Sequence, residues 1–128
     1  MTEHHDKRIL IVDDFKTMLK IVEGMLRQMG FTQVDQATDG GMALQKMRRN
    51  HYDLVLSDWN MEPMSGFELL RNIRADAKMH DTPMIMITAE RTAEHIVAAK
   101  RAGASDYLVK PFNTNMLKEK LSAVLGPF

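Results

Sequence analysis

Arg8 to Gly30 reads RILIVDDFKTMLKIVEGMLRQMG, and two periodicities meet inside it. RILIV, Arg8 to Val12, is a near-continuous apolar run rich in β-branched residues, the pattern of a short strand buried on both faces. Two carboxylates, Asp13 and Asp14, end it. Phe15, Met18, Leu19, Val22, Met25, Leu26 and Met29 then recur at i, i+3, i+4 and i+7, one apolar stripe of a helix that Gly30 closes.

The same alternation repeats to the end of the chain. Gln33 to Ala37 reads as a second, weaker strand, Gly40 to Asn50 as a helix carrying Met42, Ala43, Leu44 and Met47, and Leu54 to Ser57 as a third strand, with Asp58 directly after it. A loop containing Pro63 and Gly66 leads to a helix with Phe67, Leu69, Leu70 and Ile73. Met84 to Thr88 is a fourth strand and Thr92 to Ala102 a helix closed by Gly103. Asp106 to Val109 is a fifth strand, and Asn113 to Leu125 a fifth helix with Met116, Leu117, Leu121 and Val124 facing inward.

Five βα units in series predict an α/β fold, a five-stranded parallel sheet doubly wound with helices on both faces. Right-handed crossovers leave few topologies for such a chain. A length of 128 residues fits one domain, with residues 1–7 a short polar tail and no output domain attached.

Composition narrows the function. Lys plus Arg and Asp plus Glu number 17 each, so the formal charge is zero and no global field draws the protein to nucleic acid or to an anionic membrane. Cysteine is absent, which removes disulfides, thiolate metal sites and thiol nucleophiles. No apolar run has the length of a signal peptide or a membrane span, so the expected location is the cytoplasm. The twelve methionines, at helical or strand spacing, read as core filler. Arg48 with Arg49 and Lys100 with Arg101 read as solvated helix faces, the second pair with an anionic partner as the alternative. His4 and His5 are adjacent in a terminal tail, a poor arrangement for a metal site.

In a doubly wound sheet, ligands sit beyond the carboxyl ends of the strands. Those ends carry Asp13 and Asp14, Asp58, Thr88 and Lys110. Three carboxylates crowded at one edge repel one another and raise one another's pKa unless positive charge joins them. A hard divalent cation such as Mg²⁺, which takes oxygen ligands and keeps several waters, suits that set. Lys110 adds a point charge able to meet a phosphoryl oxygen, and Thr88 adds a hydroxyl. Together they fit a carboxylate nucleophile, Asp58, attacking phosphorus, with the Asp13–Asp14 pair suited to holding the metal.

IVDDF (Ile11 to Phe15), SDWNM (Ser57 to Met61), ITAE (Ile87 to Glu90) and AGASDYLVKPF (Ala102 to Phe112) resemble the receiver domains of two-component response regulators. Trp59–Asn60, the Thr-Ala-Glu after the fourth strand and Tyr107 bring the chain nearest to the CheY-like single-domain chemotaxis regulators. The resemblance spans essentially the whole chain. It implies a flavodoxin-like strand order and phosphorylation of Asp58 from the phosphohistidine of a CheA-like histidine kinase. It also implies Mg²⁺ held by Asp14, Asp58 and the main-chain carbonyl of Asn60, with Asp13 reaching the ion through water. Thr88 then moves toward the phosphoryl group and Tyr107 turns inward. The face formed by the fourth helix, fifth strand and fifth helix changes its affinity for a FliM-like flagellar switch protein. Asn60 and Glu90 occupy the positions that tune dephosphorylation, a phosphatase is a further partner, and Lys110–Pro111 matches a cis bond. The protein is expected to be a monomeric switch rather than an enzyme.

One departure stands out. The family usually places Pro directly after the loop Met and then Asp-Gly, whereas this chain has Met61-Glu62-Pro63-Met64-Ser65-Gly66, which moves the stiff point of the loop and adds a carboxylate, Glu62. Glu62 is either a solvated loop residue or a modifier of Mg²⁺ affinity or partner contact. Trp59 is either a reporter of the metal site or a cap on the sheet edge.

Rival functions fit less well. An aspartyl-phosphate phosphohydrolase wants a second Asp two residues after the nucleophile, where this chain has Asn60, and a substrate cap. No G-x-G-x-x-G or G-x-x-x-x-G-K-[ST] supports nucleotide binding. No helix-turn-helix follows the sheet. Within the receiver reading, motor binding has one alternative, a phosphate sink or shuttle for another kinase.

Overall fold

The computed structural model describes residues 6–128; His4 and His5 lie outside the described residues. Strands and helices alternate as β1 (Arg8–Val12), α1 (Lys16–Gln28), β2 (Gln33–Ala37), α2 (Gly40–Arg49), β3 (Leu54–Asp58), α3 (Gly66–Ala75), β4 (Met84–Thr88), α4 (Ala93–Arg101), β5 (Asp106–Val109) and α5 (Thr114–Leu125). All pairings are parallel and the sheet order is β2-β1-β3-β4-β5. The winding therefore reverses between β1 and β3.

Strand alternation divides the core into two layers. On one face Leu10, Val12, Val55, Met84 and Met86 pack with Ala43 and Leu44 of α2, Leu69, Leu70 and Ile73 of α3, and Ala99 of α4. On the other, Ile9, Ile11, Leu54, Leu56, Ile85, Ile87 and Leu108 pack with Leu19, Val22 and Leu26 of α1 and with Leu117 and Leu121 of α5. Met29, Met47, Met61, Met79, Met84 and Met86 are buried, as core filler should be.

The differences from the sequence reading are local and have physical causes. β3 runs one residue further, so Asp58 is the last rung of the ladder, opposite Ile87, rather than the first residue beyond it. Thr92 and Asn113 are caps, not helix: their side chains accept from the backbone N–H of His95 and Met116. Asn50 likewise terminates α2 from outside, in extended conformation. Phe15, expected on the inward stripe of the first helix, stands just before α1 and is 60% exposed. The turn that Asp13 imposes takes Phe15 off that stripe. Met116, expected to face inward, is 40% exposed at the first turn of α5, where Leu117 covers the sheet instead. The Lys110–Pro111 peptide bond is cis as expected, and so is Glu62–Pro63. Among the described residues no helix is long and apolar enough to cross a membrane.

Leu56 sits at the centre of the middle strand with no exposed surface. Leu56→Ala is expected to cost about 2–5 kcal/mol through lost burial and a residual cavity. Urea unfolding at an unchanged m-value is the check.

Candidate functional site

The parallel register sets the functional residues side by side. Asp13 continues the ladder by donating its N–H to the Ala37 carbonyl (3.1 Å), Trp59 donates to Ile87 (2.9 Å), and Lys110 donates to Thr88 (2.8 Å). These bonds extend the sheet one residue past its strands, so the side chains around them converge above one edge. Asp13, Asp14 and Asp58 each offer an oxygen, all within 4.8 Å of one another. Asp13 and Asp58 are buried and Asp14 is exposed. Lys110 Nζ lies 2.9 Å from Asp58 Oδ1 and 3.8 Å from Asp13 Oδ2.

Three carboxylates face one ammonium group. Burial is the main force holding the Asp13 carboxyl above the usual carboxylate range, with the Asp58 and Asp14 charges adding to it. The Phe15 N–H, which donates to Asp13 Oδ1 at 2.9 Å, and the Lys110 charge pull the other way without winning. An all-oxygen donor set with excess negative charge fits a hard divalent cation.

Behind this edge lies a second set of contacts. Thr88 is fully buried, and its Oγ1 accepts from the Glu90 N–H (3.1 Å). The Tyr107 ring is buried and its hydroxyl donates to the Glu90 carbonyl. Burial first, then the Glu90 charge, raises the Tyr107 phenol, against a hydrogen bond with the Thr88 side chain that lowers it. The Glu90 carboxylate accepts from the N–H groups of Arg91 (3.0 Å) and Thr92 (3.1 Å), which orders the approach to α4. Asn60 and Glu62 are exposed, and Glu62 does not join the carboxylate cluster. Arg48, Arg49, Lys100 and Arg101 are exposed on their helices.

Sequence reasoning missed the part played by Gly66. A Cβ built there would stand 2.0 Å from the Asp58 carbonyl oxygen, and the Gly66 N–H donates to the Trp59 carbonyl (2.8 Å). The loop after Asp58 thus folds back and lies directly on the acidic strand end, a closeness only glycine permits. Ser65 and Glu68 hold it there in a reciprocal capping box, Ser65 Oγ accepting from Glu68 N–H and Glu68 Oε1 from Ser65 N–H, each at 3.1 Å. The S-x-x-E spacing was the available signal.

Residues 9–122 match the response regulator receiver domain family. The chain is 48% identical over 117 residues to chemotaxis protein CheY-3 of Vibrio cholerae serotype O1, covering 91% of this chain and 90% of that protein. Its fold is similar to the crystallised CheY4 of Vibrio cholerae, with a TM-score of 0.86 and 36% identity over 92% of this chain and 98% of the other. It is also similar to the receiver domain of sensor histidine kinase PA1611 from Pseudomonas aeruginosa PAO1, whose structure has a magnesium ion coordinated in its active site cleft. That match has a TM-score of 0.84 and 32% identity, covering 94% and 98%. The chain belongs to the response regulator receiver domain family, on its chemotaxis branch.

Two outcomes test the geometry. Gly66→Ala is expected to cost about 1–3 kcal/mol, because the new methyl group displaces backbone, and to shift Trp59 emission in step. Urea unfolding and a fluorescence spectrum measure both. Asp13 concerns pH: a carboxyl raised in the folded state binds more protons folded than unfolded, so its cost appears as pH rises through the folded pKa and is absent below the unfolded one. Asp13→Asn keeps an acceptor for Phe15 and is expected to raise the urea midpoint at pH 7 without divalent cations. The two proteins should converge as pH falls below about 3.9, the ordinary Asp value.

Proposed function

We propose that this receiver takes a phosphoryl group on Asp58 from the phosphohistidine of a CheA-like histidine kinase and changes the α4–β5–α5 face for a FliM-like flagellar switch protein. The observation that carries this is the placement of Asp58: a buried carboxylate at the central strand end, 2.9 Å from Lys110 Nζ, with Asp13 and Asp14 beside it.

Attack is assigned to the Asp58 oxygen not engaged by Lys110. As that oxygen bonds to phosphorus, the P–N bond to the donor imidazole breaks and the imidazole leaves with the bond's electron pair, taking up a proton. Asp13, Asp14, Asp58 and the Asn60 carbonyl would hold Mg²⁺, which would supply charge neutralisation for the transferred group. Lys110 neutralises a phosphoryl oxygen from the other side by leaving the Asp58 carboxylate. Thr88 accepts from the Glu90 N–H and its hydroxyl also meets that of Tyr107, so its proton would turn from Tyr107 to the phosphoryl group. Drawing Thr88 forward pulls on Glu90, to whose carbonyl the Tyr107 hydroxyl is bonded. A local charge change thereby reaches β5 and α4. Asn60 and Glu90, exposed at the rim, are the residues assigned to steer a hydrolytic water, with a phosphatase as a further partner.

The chemotaxis proteins among its relatives support motor binding over a phosphate sink. Incubation with acetyl phosphate and Mg²⁺ is expected to add one phosphoryl group per chain, stable in acid and released in base. Asp58→Asn is expected to abolish it with the fold retained by circular dichroism. Stoichiometric labelling of Asp58→Asn would overturn the assignment.

A further inference from the structure

His95, in the first turn of α4, lies against the residue next to the proposed acceptor. Its ring centroid is 3.6 Å from that of Trp59, at an interplanar angle of 34°. On its other side, 6.2 Å away and nearly perpendicular, is the ring of Tyr107 on β5. Trp59 in turn stacks on Phe67 of α3 at 5.1 Å. A row of rings therefore runs Phe67–Trp59–His95–Tyr107 from the loop after Asp58 to the α4–β5 face. His95 Nε2 is buried and has no hydrogen-bond partner. Hydrogen bonding at that nitrogen therefore does not hold the ring, which lies tilted against Trp59.

Trp59 is bound on both sides of its backbone. Its N–H donates to Ile87 on β4, and its carbonyl accepts from Gly66. Any movement of the Asp58–Asn60 segment must carry the indole with it. The indole cannot move at 3.6 Å from a neighbouring ring without moving that ring. His95 sits on a helix whose first turn is tied down by Thr92, with Thr92 Oγ1 accepting the His95 N–H at 3.3 Å. An unpartnered buried nitrogen also keeps this ring arrangement from being deeply favoured.

The geometry points to His95 as a positioning residue that couples the acceptor loop to α4 through Trp59, a route that starts from the loop rather than from Thr88 and meets the Thr88–Glu90–Tyr107 hydrogen bonds at Tyr107. This rests on the phospho-acceptor reading of Asp58. Ring packing is the operative feature, so a flat apolar ring should serve in place of imidazole and a methyl group should not.

The test compares wild type, His95→Ala and His95→Phe as full chains, with Mg²⁺ and then acetyl phosphate. Asp58 labelling, Trp59 fluorescence and amide hydrogen exchange of α4 are followed together. Alanine suits a first helical turn, so His95→Ala keeps the fold. It is expected to label Asp58 at the wild-type level, to lose at least half of the fluorescence change, and to lose most of the exchange response in α4, with His95→Phe restoring both. A wild-type α4 response in a fully labelled His95→Ala, or a failure of His95→Phe to restore what alanine removes, overturns the coupling role alone. Absence of labelling in wild type overturns the phospho-acceptor reading and this inference with it.

Discussion

The structure turns on one constraint: buried carboxylates at the junction of β1 and β3 that share one lysine. The pair between Lys110 and Asp58, at 2.9 Å, has a gross attraction of about 6 kcal/mol at an effective dielectric of about 20. Removing both ions from water costs several kcal/mol each, a sum of the same size. The pair is therefore no stabiliser of the fold, and Asp13 beside it, its carboxyl raised by burial and like charge, makes the balance worse. The apolar layers on both sheet faces must supply the stability that this edge does not. They do so with fully buried Leu, Ile and Met along β1, β3 and β4, immediately beneath the charges.

That arrangement explains which features were readable in the sequence. Strand spans, helix order and parallel winding follow from periodicity, and every strand except β3 begins and ends where the pattern places it. Convergence of Asp13, Asp14, Asp58 and Lys110 follows from the winding alone, because parallel strands of similar length bring their carboxyl ends to one edge. Phe15 and Met116 were misplaced because spacing cannot tell the first turn of a helix from the turn before it, where capping rather than packing sets the side-chain direction. Gly66 was legible only as a loop glycine. Its close approach to the Asp58 carbonyl depends on how the loop folds back, which no local period encodes.

The ring row from Phe67 to Tyr107 was illegible for a related reason. Its members come from α3, the loop after β3, α4 and β5, so their meeting is a property of the assembled upper edge. The sequence posed the question at Trp59, as reporter or as cap. The structure makes it a link, fixed through its backbone to β4 and to Gly66 and through its ring to α3 and α4.

A charged edge that adds little stability suits a switch better than a strong one would. A deep, self-satisfied ion cluster would resist any rearrangement on gaining a phosphoryl group, since each partner exchanged would cost more than the new contact returned. Here Lys110 holds Asp58 closely and Asp13 only at 3.8 Å, and the Thr88 hydroxyl accepts one bond from the Glu90 backbone. Under the proposed phosphorylation of Asp58, these are the contacts that would be traded for a phosphoryl oxygen. Glu90 sits where such trades are felt, with its N–H on Thr88, its carbonyl on Tyr107 and its carboxylate on the backbone leading into α4. A residue joined by four hydrogen bonds to the acidic edge, to β5 and to the approach to α4 cannot shift for one without shifting for the others. On the proposed phosphorylation of Asp58, such linkage would carry a change of a few kcal/mol at one carboxylate to the α4–β5–α5 face.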